Sequence, residues 1–102
     1  MIVARWHIQA KFGRKQVVLD SIRTWQREIG AQAGMPPQRL LSTSLGGRES
    51  EIEAEVELRE LSELQAIFDK LATLPAHAEW SRKLEPEMIS GSTYWTIHRV
   101  VD

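Results

Sequence analysis

Residues 51 to 58 read Glu-Ile-Glu-Ala-Glu-Val-Glu-Leu, four carboxylates in strict alternation with four apolar side chains. Successive side chains of an extended chain point to opposite faces, so this segment fits a β-strand and no helix. One face of the strand is wholly acidic and the other wholly apolar. The apolar face must pack on helices, which leaves the acidic face on the uncovered side of a sheet. What that side meets is the functional question the sequence poses.

The flanking segments supply the rest of the sheet and its helices. Ile2, Ala4, Trp6 and Ile8 alternate with Val3, Arg5, His7 and Gln9, predicting a half-buried strand over residues 2–10 that Gly13 interrupts. From Arg14 to Ile29 the period becomes helical. Val18, Ile22, Trp25 and Ile29 fall on one stripe opposite Gln16, Asp20, Arg23 and Arg27, and Gly30 or Gly34 can end the helix. Leu40 to Leu45 reads as a short strand, with Gly46-Gly47 as a two-residue hairpin turn. That turn predicts the pairs Leu45–Arg48, Leu41–Ile52 and Ser42–Glu51, and it places Leu41, Thr43 and Leu45 on the apolar face.

Ser62-Glu63-Leu64-Gln65 matches a capping box for a helix presenting Leu64, Ile67, Phe68 and Leu71, which Pro75 stops. A short helix over 76–84 presents His77, Trp80 and Leu84 before Pro86. The chain closes with a strand over 92–101, with Trp95, Ile97 and Val101 on one face and Tyr94, Thr96, His98 and Val100 on the other. With right-handed crossovers, the order β-α-β-β-α-(α)-β predicts a single ferredoxin-like α+β domain over residues 1–102. Its antiparallel sheet has four strands in the order 4-1-3-2, with helices on one face.

Composition narrows the chemistry. The chain has no cysteine, which removes disulfides, thiolate nucleophiles and Cys-based zinc sites. A formal charge of -1 leaves no basic field for nucleic acid or an anionic membrane surface. The apolar run at the N-terminus contains Arg5 and has no small-residue cleavage site, so the expectation is a soluble, cytoplasmic protein. No Gly-rich phosphate loop follows a strand, which suits the expectation of no bound cofactor, and no G-x-S-x-G elbow marks a serine nucleophile.

Two groups of residues remain as candidate sites. The uncovered face would carry Arg5, His7 and Gln9 between the Glu51, Glu53, Glu55 and Glu57 row and the row of Tyr94, Thr96 and His98. His7 and His98 beside Glu55 or Glu53 are candidates for proton transfer, with Tyr94 donating to a developing oxyanion. The simpler reading is an ion-paired surface or dimer face. No His-x-x-x-His spacing occurs, so no metal is expected. The second group is Trp6, Trp25, Phe68, His77, Trp80 and Trp95, which is either core or the lining of a ligand cleft.

The topology, the length and the helix before the last strand resemble the dimeric α/β-barrel superfamily. That superfamily includes antibiotic-biosynthesis-type monooxygenases, NIPSNAP-like proteins and small stress-responsive barrel proteins. The segment Glu79-Trp80-Ser81-Arg82-Lys83-Leu84-Glu85-Pro86, followed by Ser90-Gly91-Ser92 and Tyr94-Trp95, is most similar to NIPSNAP-like sequences. The resemblance implies a homodimer joined through its sheets. It also implies a small aromatic or polyketide-like ligand, handled in a monooxygenase-like or isomerase-like way. Heme-degrading members use a strand Asn; here the first strand offers His7 and Gln9 instead, a departure from that pattern. The competing class is a non-enzymatic interaction homodimer.

Overall fold

Alternating segments become strands, and those with helical spacing become helices. The computed structural model describes residues 1–102, in the order β1 (Ile2–Gln9), α1 (Lys15–Trp25), β2 (Arg39–Ser42), β3 (Glu51–Leu58), α2 (Leu61–Leu71), α3 (Pro75–Leu84) and β4 (Tyr94–Arg99). The strands form one antiparallel sheet in the order β2-β3-β1-β4. This is the ferredoxin-like α+β fold. No helix is long and apolar enough to cross a membrane.

The two central strands carry the alternation into three dimensions. Ala4, Ile8, Ile52, Ala54, Val56 and Leu58 are buried on the helix-covered face, while Arg5, His7, Glu53 and Glu55 lie on the other. The core divides into two clusters. One joins Ala4, Val56 and Leu58 to Trp25, Ile29, Leu64, Ile67 and Leu71. The other joins Ile8 and Ile52 to Val18, Ile22 and Leu84, and Trp80 packs against both.

α1 continues through a π turn, Gln26–Gly30, before the chain reverses at Gly34 with φ +85°. The Met35 N–H bonds the Gly30 carbonyl at 2.9 Å and the Gly34 N–H bonds that of Ala31 at 3.3 Å, a Schellman closure. Gly34 is therefore the terminator, and Gly30 has another role described below. Arg14 pairs with Glu87 and Lys15 with Glu49, which neutralises the basic start of α1.

Three local expectations are corrected. β2 pairs one residue out of the predicted register: Leu41 faces Glu53 and Ser42 faces Ile52. Leu40 therefore packs against the core, Leu41 lies on the open face, and Leu45 is 93% exposed. The cause is the connection, which is no two-residue hairpin. The strands end at Ser42 and resume at Glu51, Gly46 turns the chain at φ +84°, and a second turn closes from Glu51 N–H to Arg48 O at 3.0 Å. A slip of one residue exchanges the faces of every side chain in the strand.

The capping box does not form, because α2 begins at Leu61 and so takes Ser62 inside the helix. Glu63 instead accepts the backbone N–H of Arg59 at 3.0 Å, while Gln65 turns to Asp69. Finally, β4 is shorter than expected: Val100 and Val101 lie beyond it and are exposed. Pro75 both ends the preceding segment and opens α3, where a residue lacking N–H leaves no helical bond unmade.

Candidate functional site

The six residues predicted to line a cleft converge on one cavity of about 220 Å³ between sheet and helices. Trp6 of β1 and Trp95 of β4 are directly opposed in the ladder on the covered face. Trp25 comes from the end of α1, Phe68 from α2, and His77 and Trp80 from one side of α3. Ile22, Met35 and Leu71 complete the apolar wall, and Gln38 and Ser81 add the remaining polar groups. No Asp, Glu, Lys or Arg lines the cavity.

The rings hold one another at aromatic contact distances. Trp80 is tilted 6.0 Å from Trp25 and 6.4 Å from Trp6, and Phe68 meets Trp95 edge-on at 5.4 Å. Trp25 lies where it does because Gly30 has no side chain. A Cβ at Gly30 would come within 2.7 Å of the Trp25 ring. That close approach, rather than helix termination, is the role of Gly30.

Both helix-borne indoles have their N–H engaged. Trp80 donates to the Ser21 carbonyl at 3.0 Å, and Trp25 donates to Nδ1 of His77 at 3.0 Å. Burial lowers the His77 pKa from its ordinary value of 6.5. The cavity thus presents a neutral imidazole among apolar rings.

The open face carries a different arrangement. His7 Nδ1 lies 3.1 Å from Glu53 Oε1, its Nε2 lies 2.8 Å from Thr96 Oγ1, and its ring stacks on Tyr94 at 4.3 Å. Glu55 sits between Arg5 at 3.2 Å and Arg39 at 3.1 Å. The Arg5 contact lacks hydrogen-bond alignment, and Arg5 Nε and Glu55 Oε2 are buried without partners. Of the candidate acid–base residues, His7 and Tyr94 are together. Glu55 is bound to the two arginines, and His98 stands opposite Val3, about 13 Å further along the strand at ~3.3 Å per residue. No three His, Cys, Asp or Glu side chains converge as a metal ion would require.

Some site residues escaped sequence reasoning. Ser81 follows His77 by four residues, so helical spacing was a usable signal. Gln38 and Met35 come from the loop around Pro36-Pro37, whose path no periodicity specifies. Arg39 as a partner of Glu55 was hidden by the misjudged register of β2.

The fold and the aromatic cavity define a class: small ferredoxin-like proteins with a ligand-sized space under the sheet. No family model and no curated protein matches the chain. Solved structures do match it in shape. A NIPSNAP family protein from Agrobacterium tumefaciens str. C58 superposes with a TM-score of 0.79 at 19% identity, covering 99% of this chain and 93% of that one. An uncharacterized NIPSNAP-like domain protein from Burkholderia xenovorans gives 0.79 at 14% identity, with coverage of 99% and 85%. A putative antibiotic biosynthesis monooxygenase from Nitrosomonas europaea gives 0.71 at 10% identity over 100% of both chains. The resemblance read from the sequence is matched by structures of both kinds, at the level of the fold.

Proposed function

We propose that the chain binds a small, flat, aromatic or polyketide-like molecule in the cavity between sheet and helices. The observation that carries this reading is the convergence of Trp6, Trp25, Phe68, His77, Trp80 and Trp95 on one uncharged space. Its volume of about 220 Å³ lies below the ~300 Å³ at which drug-sized pockets begin, so the ligand has one or two rings. Cofactor-independent oxygenation or isomerisation of that molecule is the finer proposal, supported by fold likeness to an antibiotic biosynthesis monooxygenase. Mass analysis of the purified protein for co-purifying molecules, with titration of one- and two-ring aromatics against tryptophan fluorescence, tests it. Absence of both a bound molecule and any quenching overturns it.

A second reading concerns the open face. The helices cover only the other side of the sheet, and Tyr94 on the open side is 57% exposed, which favours packing of this face on a second copy. In that homodimer His7, His98, Tyr94 and Glu55, the residues proposed for proton transfer, lie inside the barrel. Light scattering at micromolar concentration is expected to give twice the mass of one chain, and a monomer sinks the dimer.

A further inference from the structure

Among the groups lining the aromatic cavity, His77 has its proton position dictated by a neighbour. An indole nitrogen carries hydrogen and offers no lone pair, so across the 3.0 Å contact Trp25 donates and His77 Nδ1 accepts. A neutral imidazole whose Nδ1 accepts carries its proton on Nε2. That nitrogen can then only donate. For His77 to act as a base from Nε2, the proton would have to move to Nδ1, where the Trp25 N–H opposes it.

The surroundings agree. No cation lines the cavity to hold an anionic ligand, and no carboxylate lines it to hold a cationic one. Gln38 Oε1 accepts from Gln26 Nε2 at 3.2 Å, so its own amide N–H₂ remains as a donor. Ser81 lies one helical turn beyond His77 on α3. The polar side of the cavity is therefore uncharged and rich in donors.

We propose that His77 is a specificity-determining donor whose Nε2–H selects an uncharged flat molecule bearing a carbonyl oxygen, with Trp25 as the positioning residue that fixes the tautomer. This rests on the aromatic cavity being a ligand site. Gly30 belongs to the same device, because any side chain there displaces the Trp25 ring. A molecule of the same shape without an acceptor would cover the donor without pairing it, which disfavours it.

Acetophenone and α-methylstyrene differ only in C=O against C=CH₂ and make the comparison directly. Titrated against tryptophan fluorescence of the full chain, acetophenone is expected to bind about tenfold more tightly. In Trp25→Phe that preference shrinks, because the tautomer is no longer held. Nitrogen-15 NMR of the unliganded wild type is expected to show the His77 proton on Nε2, and this readout decides the point even where Trp25→Phe does not fold. Equal binding of the two probes, or a proton on Nδ1, overturns the inference while leaving the cavity reading intact. Preferential binding of phenyltrimethylammonium also overturns it, since the aromatic walls would then be a cation cage. Binding of no probe at all removes both the inference and the cavity reading beneath it.

Discussion

The two faces of one sheet obey opposite rules. On the covered face, Ile52, Ala54 and Val56 are buried between neighbours on every side, and no charged residue enters. One residue away on the same strand, Glu53 and Glu55 look outward and are each matched to a cation or imidazole. The first face is held by shape and by exclusion of water, which act on every buried atom. The second is held by pairwise contacts, each weak where solvent reaches it. A side chain's contribution should therefore follow its face rather than its distance from the cavity.

Substituting neighbours on β3 is the most direct way to break that contrast. Ile52→Ala is expected to cost about 2–5 kcal/mol through lost burial and an unfilled space, read by urea unfolding. Glu53→Ala, one residue on and facing His7, is expected to cost less than ~1 kcal/mol. Similar losses at both sites would mean that the two faces are not distinct in the way described. Next in size is Gly30→Ala, where the new methyl meets the Trp25 ring at 2.7 Å. Overpacking there is expected to cost about 1–3 kcal/mol and to weaken any aromatic ligand of the cavity in parallel. Unchanged stability together with unchanged Trp fluorescence would show that the ring moves aside freely.

This contrast also explains what was legible in the sequence. On the covered face, identity and spacing carry the information. Period two in β1 and β4 and period 3.6 in α1, α2 and α3 place Trp6, Trp25, Phe68, Trp80 and Trp95 under the sheet. His77 was placed by helix phase alone. The misses arose where the backbone leaves regular geometry. The residues 43–50 form a wide loop, and glycines at 46 and 47 permit several turns, so sequence could not count the residues between the paired strands. The capping box failed for a similar reason: a helix that starts two residues earlier moves Ser62 out of the cap position. The hydrogen bond from Trp25 to His77 joins residues 52 apart and depends on side-chain torsions that no pattern encodes.

The cavity's one imidazole supplies a smaller test. Burial lowers the His77 pKa below 6.5, so the fold favours the neutral ring. The contribution to stability is then complete above pH 6.5 and is lost as pH falls through the lower folded-state value. Protonation would also place hydrogen on Nδ1, against the Trp25 N–H. The melting temperature of the wild type is expected to fall more steeply than that of His77→Gln between about pH 7.5 and 5. Parallel curves would show that His77 titrates equally in both states. The other residues of the cavity wall bring no acid or base of their own to this range.

The smallest effects belong to the ends of the acidic row. Glu57 faces Val3 across the ladder and makes no ion pair, in contrast to Glu55, which is largely buried between two arginines. Removing the charge at 57 leaves no partner stranded, so Glu57→Gln is expected to shift stability by no more than ~0.5 kcal/mol. Removing it at 55 leaves Arg5 and Arg39 facing one another without their shared counter-ion, so Glu55→Gln is expected to cost more, about 1–3 kcal/mol. Added salt separates the two further. An exposed row is screened and its like-charge repulsion relaxes, whereas the buried Glu55 contacts respond less. If Glu57→Gln proves as costly as Glu55→Gln, the row acts as a unit, and the open face is organised by something a single chain does not contain.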